Sequence, residues 1–598
     1  MQYRSIRTWI DVATRAGPSA YIIAVAMAIV ARAALGYRSF PSIDDFVYIP
    51  LARAHLDGAL YSTDLFVQGF VFHFPLLPVL VGLLESTIGL ATGLLIVTLL
   101  LSVATVLAML RLMRAFGATG VLLSLAVLIA VCGQLKGLGR GQHDGAFGDA
   151  FHMQWLALCL LLWCYDGFVR GRAVVTGVLL GLAAVAHPVV GAHGAAVVGL
   201  ATLVARDWRW RRLVIAAAVC LLVSSPALVP FAVKLVIAGG APDFDVVGLG
   251  YLFRTPQQFV LKSLSVGIVV VVALCGWAGA IIVCARRWDM GTAGFAGLLL
   301  GHSVLAAMAI AAHGPWAEGS WVERVTLLFQ VHLTRTTPLL MVLSTIAFAA
   351  ALERQLADIR TAEWRRFGVV PFWGCAALAL ILLLVLLLMQ VAWHPLLLAV
   401  LVLTVVAAPL WHRTPWRTGM VGAWVVVGLV AAGLLVEQTE TTANPTQAEQ
   451  DLYAWARNTT APEALFIIPP SHQEFRLYTD RGAYVDFKIF PATTTALIPQ
   501  WRQRLERVAA PDRLALDSTG WPGIVEWDRT YANRNTPRRI ADLLRETPAD
   551  YFVWDSAGLA IPPFVTVERT EDPRLDTVFT NDRFTVYRLA GFDLVHAE

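Results

Sequence analysis

The chain has 598 residues, of which 57% are hydrophobic and only 15% charged. Soluble domains carry roughly 25% charged residues, so this composition excludes an ordinary soluble enzyme. The charges nearly balance, 46 basic against 42 acidic, which argues against a nucleic-acid partner.

The deficit of charge lies in long apolar runs that end near residue 437, whereas Gln438–Glu598 has globular composition. Two domains are therefore predicted: a membrane region over 1–437 and a C-terminal domain over 438–598. A bilayer-crossing helix needs about 20 apolar residues. Such runs fall at 19–36, 90–110, 117–133, 151–168, 173–187, 190–205, 212–236, 263–284, 290–312, 335–352, 368–391, 394–411 and 418–437. The basic start (Arg4, Arg7, Arg15) with so many spans behind it reads as an uncleaved first helix. All seven cysteines precede the C-terminal domain, and no disulfide framework or zinc spacing is present.

One further run, Phe72–Leu90, is broken by His73, Pro75, Pro78 and Glu85. Parity decides it. If this run does not cross, the loops holding Arg111/Arg114, Arg170/Arg172, Arg206–Arg212, Arg286/Arg287, Arg354–Arg366 and Arg413/Arg417 share the side of the basic N-terminus. Short cytoplasmic loops collect Lys and Arg, so that arrangement is preferred. The predicted fold is a polytopic α-helical membrane protein of about 13 transmembrane helices with a soluble α/β domain on the outer face. It is placed in the inner (plasma) membrane of a bacterial cell, N-terminus cytoplasmic and C-terminal domain extracytoplasmic. Residues 37–89 then form one long outer loop whose apolar helices lie on the membrane surface. The short halves 173–187 and 190–205 meet at His187-Pro188, a turn predicted below the membrane surface, where irregular backbone must line a protein cavity.

With this topology the inner loops are short and basic, and the unusual residues face outward. The sharpest feature is Ser42-Ile43-Asp44-Asp45-Phe46-Val47-Tyr48, just past the first helix. Adjacent carboxylates repel unless a proton, cation or substrate compensates. One of them is then suited to act as a general base, while either is also a favoured helix N-cap. Cations for a phosphate group are Lys136, Arg140, Arg254, Lys262, Arg324 and Arg335. Arginine suits phosphate because its fork holds two oxygens, and Arg335 stands at the mouth of an apolar helix, where charge is expensive. His73, His143 and His187 complete the candidate binding residues. His143, Asp144, Asp149 and His152 look superficially like a metal set, but Asp149 also reads as an N-cap. His187 and His193 flank the intramembrane turn.

An acidic pair directly after the first span, heading a long amphipathic outer loop, resembles the GT-C superfamily of integral-membrane glycosyltransferases. The run IDDFVYIPLARAHLDGALYSTDLF is similar to their first-loop pattern, an acidic pair, an aromatic helix and a short acidic-Gly turn. The span count resembles the aminoarabinose-transferase and protein O-mannosyltransferase branch. The resemblance implies a polyprenyl-phosphate-linked sugar donor, a glycan, lipid or protein acceptor, and a first-loop catalytic Asp at Asp44 or Asp45. It leaves a divalent metal open, since some members use one and others do not. The WWDYG signature of oligosaccharyltransferases is absent, which argues against glycosylation of peptide sequons.

In the C-terminal domain, 447–458 reads as an amphipathic helix with Leu452, Trp455 and Ala456 on one face. ALFIIPP, AYVDFK, DYFVWD and FTVYRL read as strands, with helices near 497–509 and 537–546. No phosphate loop or catalytic order appears in it, so it is expected to shape the acceptor entrance rather than perform chemistry. The function expected is an inverting transfer of sugar at the outer face. The alternative is a multi-pass transporter or flippase for a lipid-linked or amphipathic substrate. That reading needs polar residues at the bilayer midplane and usually internal repeats, whereas the spans read as nearly charge-free.

Overall fold

The structure, a computed structural model, describes residues 18–35, 40–42, 44–70, 74–117, 151–205, 210–238, 263–313, 333–360, 445–491, 494–509, 520–556 and 572–591. Helices form close to where the apolar runs place them. They are α1 (Pro18–Leu35), α2 (Asp45–Leu56), α3 (Leu65–Gln68), α4 (Leu76–Thr87), α5 (Leu90–Ala115), α6 (Met153–Val169), α7 (Ala173–Ala186), α8 (Pro188–Val204), α9 (Trp210–Ala238), α10 (Ser263–Arg286), α11 (Met290–His313) and α12 (Thr337–Arg360). Among the described residues, five stretches are long and apolar enough to cross a membrane: Leu90–Ala115, Trp210–Lys234, Val269–Arg286, Met290–Ala311 and Thr334–Ala351. The runs at 117–133, 368–391, 394–411 and 418–437 lie outside the described residues.

The ambiguous run becomes α4, of 12 residues, about 18 Å long and short of the roughly 30 Å hydrocarbon core. The pair α7 and α8 meets at His187, which ends one helix and occupies the N-cap of the next. Pro188 takes the first helical position, where a missing N–H costs nothing.

Basic residues from separate loops gather at one end of the bundle. Arg111 donates to the buried Asp166 carboxylate at 2.9 and 2.8 Å, and Arg170 at 2.7 Å. Arg212 reaches the Met290 sulfur at 3.6 Å, beside Gly171. Lipid tails supply no hydrophobic drive between helices, so close fit must hold them. Gly177 and Gly181 of α7 permit it: an added Cβ would stand 2.5 Å from the Ala216 carbonyl and 2.8 Å from Val223 on α9. Gly297 of α11 lies likewise against Ala201 of α8, 2.6 Å from its carbonyl oxygen.

The C-terminal region folds as a five-stranded sheet in the order β2-β1-β3-β5-β4, formed by β1 (Leu465–Ile467), β2 (Gly482–Ala483), β3 (Tyr551–Asp555), β4 (Leu575–Thr580) and β5 (Phe584–Leu589). The first three strands are parallel, and β5 pairs antiparallel with both β3 and β4. Helix α13 (Gln447–Thr459) opens with a capping box between Thr446 and Glu449 and buries Leu452, Tyr453 and Ala456. Helices α14 (Phe475–Thr479), α15 (Ile498–Ala509), α16 (Gly520–Arg534) and α17 (Pro537–Glu546) complete it. One expectation is corrected and two elements are added. The run AYVDFK stays in the sheet only as far as Ala483; beyond it the Asp486 carboxylate accepts from the Lys488 and Ile489 N–H groups at 2.5 and 2.6 Å, bending the chain into a turn. Strand β4 and helix α16 carry too little periodicity to be read from sequence.

The first loop belongs to this core. Val47, Leu51, Tyr61 and Phe66 pack in one buried cluster with Phe487, Trp501 and Trp527, so the loop assigned by sequence to the membrane region is roofed by the C-terminal sheet.

Within the sheet region, buried His472 lies 3.0 Å from Asp555. Arg583 donates to Asp555 at 2.9 and 2.8 Å and to Glu449 at 2.7 Å. Burial alone would lower the His472 pKa, but the Asp555 hydrogen bond and the Glu474, Asp555 and Asp528 charges raise it above 6.5. Burial would raise Glu449, but the hydrogen bonds from Thr446 and the Arg583 charge hold it below 4.5. Stability from His472 is complete below 6.5 and is lost as pH rises through its raised value. Stability from Glu449 is complete above 4.5 and is lost as pH falls through its lowered value. Thermal unfolding of the full chain in detergent, followed from about pH 4 to pH 9, is therefore expected to peak on the mildly acidic side, with His472→Asn flattening the alkaline limb. An unchanged alkaline limb in that variant overturns the assignment.

Candidate active site

The structure separates the two first-loop aspartates. Helix α2 begins at Asp45, a residue 8% exposed whose carboxylate accepts the Ser42 N–H at 2.7 Å. It is turned back onto its own loop. Asp44 occupies the N-cap position but its side chain makes no capping bond, so the expected cap through Asp44 is not formed. Its Oδ1 instead accepts from the Lys488 ammonium at 2.6 Å. Its Oδ2 lies 3.4 Å from His152 Nδ1, and the side chain keeps 28% of its surface exposed.

His152 holds the N-cap position of α6. Two residues on, Gln154 accepts from the Arg335 guanidinium at 2.7 Å. The same Arg335 nitrogen lies 3.1 Å from His187 Nε2; a guanidinium only donates, so that ring nitrogen is the acceptor. Arg335 itself sits in a 3-10 turn, Leu333–Thr336, leading into α12. The His187 ring packs on Phe74 with centroids 5.2 Å apart, and Phe74 meets Tyr48 of α2 edge-on at 5.0 Å. Asp44, His152, Gln154, Arg335, His187 and Phe74 thus form one continuous patch where the loop, three helix ends and the C-terminal region converge.

Of the sequence-predicted residues, Asp44, Arg335 and His187 come together here, and Asp45 lies just behind them. His73, Lys136, Arg140, His143, Arg254 and Arg324 lie outside the described residues. Sequence reasoning missed Gln154 and Phe74, which join the patch through Arg335 and His187, and did not single out three further residues nearby. Arg32 is fully buried in α1, its guanidinium 5.8 Å from the Trp155 ring centre; an arginine inside an apolar run was itself the signal. His152 appeared only as part of a loose His/Asp group. Lys488 carried no signal, being 444 residues from Asp44. This pairing brings a residue of the C-terminal region, expected to shape the acceptor entrance, against the first-loop aspartate.

The loop is held by a buried ionic network. The Asp64 carboxylate is fully buried and accepts the Phe66 and Val67 N–H groups at 3.1 Å each, capping α3. Its other oxygen accepts from Arg476 Nε at 2.6 Å and from the Ala483 N–H at 2.9 Å. Arg476, also fully buried, pairs with Asp486 on its far side, and Asp486 shapes the turn that carries Lys488. Nearer the rim, Arg53 bridges Asp480 at 2.9 Å and Glu85 at 2.8 Å.

Among the described residues, the group facing Asp44 Oδ1 is a lysine ammonium at 2.6 Å, a cation rather than a metal ligand. A second grouping, Glu449, His472 and Glu474, has ligand atoms within 4.8 Å of one another, but Arg583 already neutralises Glu449 there. The spans are also more polar inside than expected: Tyr165 Oη and His302 Nε2 lie 2.8 Å apart, both buried, and His193 Nδ1 lies 3.4 Å from Thr336 Oγ1.

The family model for a domain of unknown function, DUF6798, matches residues 447–508, the segment that includes Arg476, Asp486 and Lys488. No curated protein matches the chain. Among solved structures, the chain is similar to ArnT from Cupriavidus metallidurans bound to undecaprenyl phosphate, at 15% identity over 95% of this chain and 98% of that one, with a TM-score of 0.45. The apo state of the same protein gives 16% identity over 95% and 96%, with a TM-score of 0.46. The Archaeoglobus fulgidus oligosaccharyltransferase in the apo form gives 11% over 90% and 69%, with a TM-score of 0.42.

Proposed function

We propose that the chain is an integral-membrane glycosyltransferase of GT-C type that moves a sugar from a polyprenyl-phosphate donor to an acceptor hydroxyl at the outer membrane face. The observation that carries this reading is the partly exposed Asp44 carboxylate set beside His152 and within one patch of Arg335. In the reaction, Asp44 takes the proton of the acceptor hydroxyl. The acceptor oxygen bonds to the anomeric carbon, and the bond from that carbon to the phosphate oxygen breaks. Its electron pair leaves with the lipid phosphate, and the proton later passes from Asp44 to water. Arg335 supplies fixed positive charge for the departing phosphate. Gln154 and His187 hold its guanidinium, which makes them positioning residues.

The test is a mass profile of envelope glycoconjugates and polyprenyl-phosphate sugars in a deletion strain, rescued by wild type or by Asp44→Asn. Loss of one sugar, accumulation of its lipid-linked donor and rescue by wild type alone support the reading; rescue by Asp44→Asn overturns it. Arg335→Gln is expected to weaken binding of undecaprenyl phosphate roughly tenfold, with Arg335→Lys intermediate because a point charge replaces a fork. Equal affinity in all three proteins removes Arg335 from the phosphate site.

A second reading, a transporter or flippase for a lipid-linked substrate, has the buried Tyr165–His302 pair in its favour, since polar groups inside spans mark transport paths. The strain experiment separates the two. A transporter tolerates Asp44→Asn and fails with His302→Phe, and a transferase shows the reverse.

A further inference from the structure

Asp44 is held in a state that works against its own chemistry. An ammonium 2.6 Å away stabilises the charged carboxylate and makes it a weaker proton acceptor. The base and the cation therefore have to part before the acceptor hydroxyl can be deprotonated. The geometry permits this on one side only. The backbone of Lys488 is fixed by the Asp486 turn, and Asp486 is fixed in turn by Arg476 and Asp64. The Lys488 side chain, 8% exposed, ends on four flexible methylenes, so its ammonium can swing while its root stays still. Asp44, by contrast, belongs to the start of a packed helix. His152 faces the other carboxylate oxygen at 3.4 Å, Asp45 is engaged by the Ser42 N–H, and Arg335 stands beyond Gln154. A phosphate entering beside Arg335 brings concentrated negative charge, the strongest competitor for a lysine ammonium that the proposed reaction offers.

We propose that Lys488 is exchanged between Asp44 and the phosphate of a polyprenyl-phosphate donor, so that arrival of the donor is what frees the base. This rests on the reading of Asp44 and the phosphate lipid given above. The exchange breaks no covalent bond: one ion pair opens and another closes. It makes the C-terminal region part of the active site, with Lys488 reporting the presence of donor to the residue that attacks the acceptor. It also restrains the base while no donor is bound, when a free carboxylate would serve no reaction.

The test is a double-mutant cycle on the full-length protein in lipid nanodiscs, with undecaprenyl phosphate as the probe and undecaprenol as the uncharged control. If Asp44 competes with phosphate for Lys488, Asp44→Asn binds undecaprenyl phosphate more tightly than wild type. Lys488→Met then binds it roughly tenfold more weakly, the loss expected for one charge-assisted contact. The double variant Asp44→Asn/Lys488→Met stays close to Lys488→Met, because the gain from removing Asp44 exists only while Lys488 is there to be released. Lys488→Arg, which keeps the charge, stays within about threefold of wild type and shows that the loss is not one of folding. A double variant that binds as tightly as Asp44→Asn overturns the exchange, since Lys488 then never touches phosphate. Weaker binding by Asp44→Asn than by wild type overturns it too. Wild type that binds undecaprenol and its phosphate equally removes the phosphate-lipid reading itself, a result distinguishable from the other two.

Discussion

Asp44→Asn is expected to reduce sugar transfer by roughly 10²- to 10⁴-fold, the range a positioned general base contributes. Asn keeps the size of the side chain and its place at the head of α2, but it accepts no proton at neutral pH. Its neighbour provides the control. Asp45 is buried and tied to the Ser42 N–H, so Asp45→Asn costs loop stability and leaves most of the chemistry in place. The measurement is single-turnover transfer by purified variants, using the lipid-linked donor pool that builds up in the deletion strain. A larger loss for Asp45→Asn than for Asp44→Asn reverses the assignment of the base.

The second large effect is on stability. Arg476→Met is expected to destabilise the protein by about 3–5 kcal/mol, as found when one partner of a buried ion pair is removed. Arg476 is fully buried between Asp64 and Asp486, and it also donates to the Ala483 carbonyl at 3.1 Å. Removing it leaves two buried carboxylates facing one another across an apolar side chain, and each charge then pays its desolvation cost without a counter-ion. The exposed pair Arg502–Glu506, with side chains 37% and 36% accessible, sets the lower end of the scale: Arg502→Ala is expected to cost about 0.3–0.5 kcal/mol. Thermal unfolding in detergent compares the two directly, and similar shifts overturn the view that the buried network holds the first loop to the C-terminal region. Because Asp486 also shapes the turn beneath Lys488, Arg476→Met should lower transfer beyond the loss of folded protein.

Much of this was legible because hydropathy and charge are local signals. The helices within the described residues start and stop close to their apolar runs, and the turn at His187-Pro188 falls where short halves and a proline demand it. What sequence does not carry is pairing at a distance. Asp44 and Asp45 are indistinguishable as letters, and only the reverse bond from Ser42 and the reach of Lys488 tell them apart. The strand expected through Lys488 was lost for a related reason. Its alternation is real, but the Asp486 side chain competes for the backbone N–H groups and bends the chain out of the sheet. Arg32, buried within α1, leaves little trace in the pattern, because a single arginine does not disturb the mean hydropathy of a span.

The distances along the chain have a consequence for the order in which the protein is made. Asp64 and Arg476 are 412 residues apart, and Asp44 and Lys488 are 444 apart. On the ribosome the first loop emerges early and waits through the insertion of every later span. Asp64 lacks its arginine, and Asp44 its lysine, until residues 476–488 have been synthesised and docked. A chain halted at any earlier point carries the aspartate but not the finished site. The pairing of the first loop with residues 476–488 thus closes only after the intervening helices have been made.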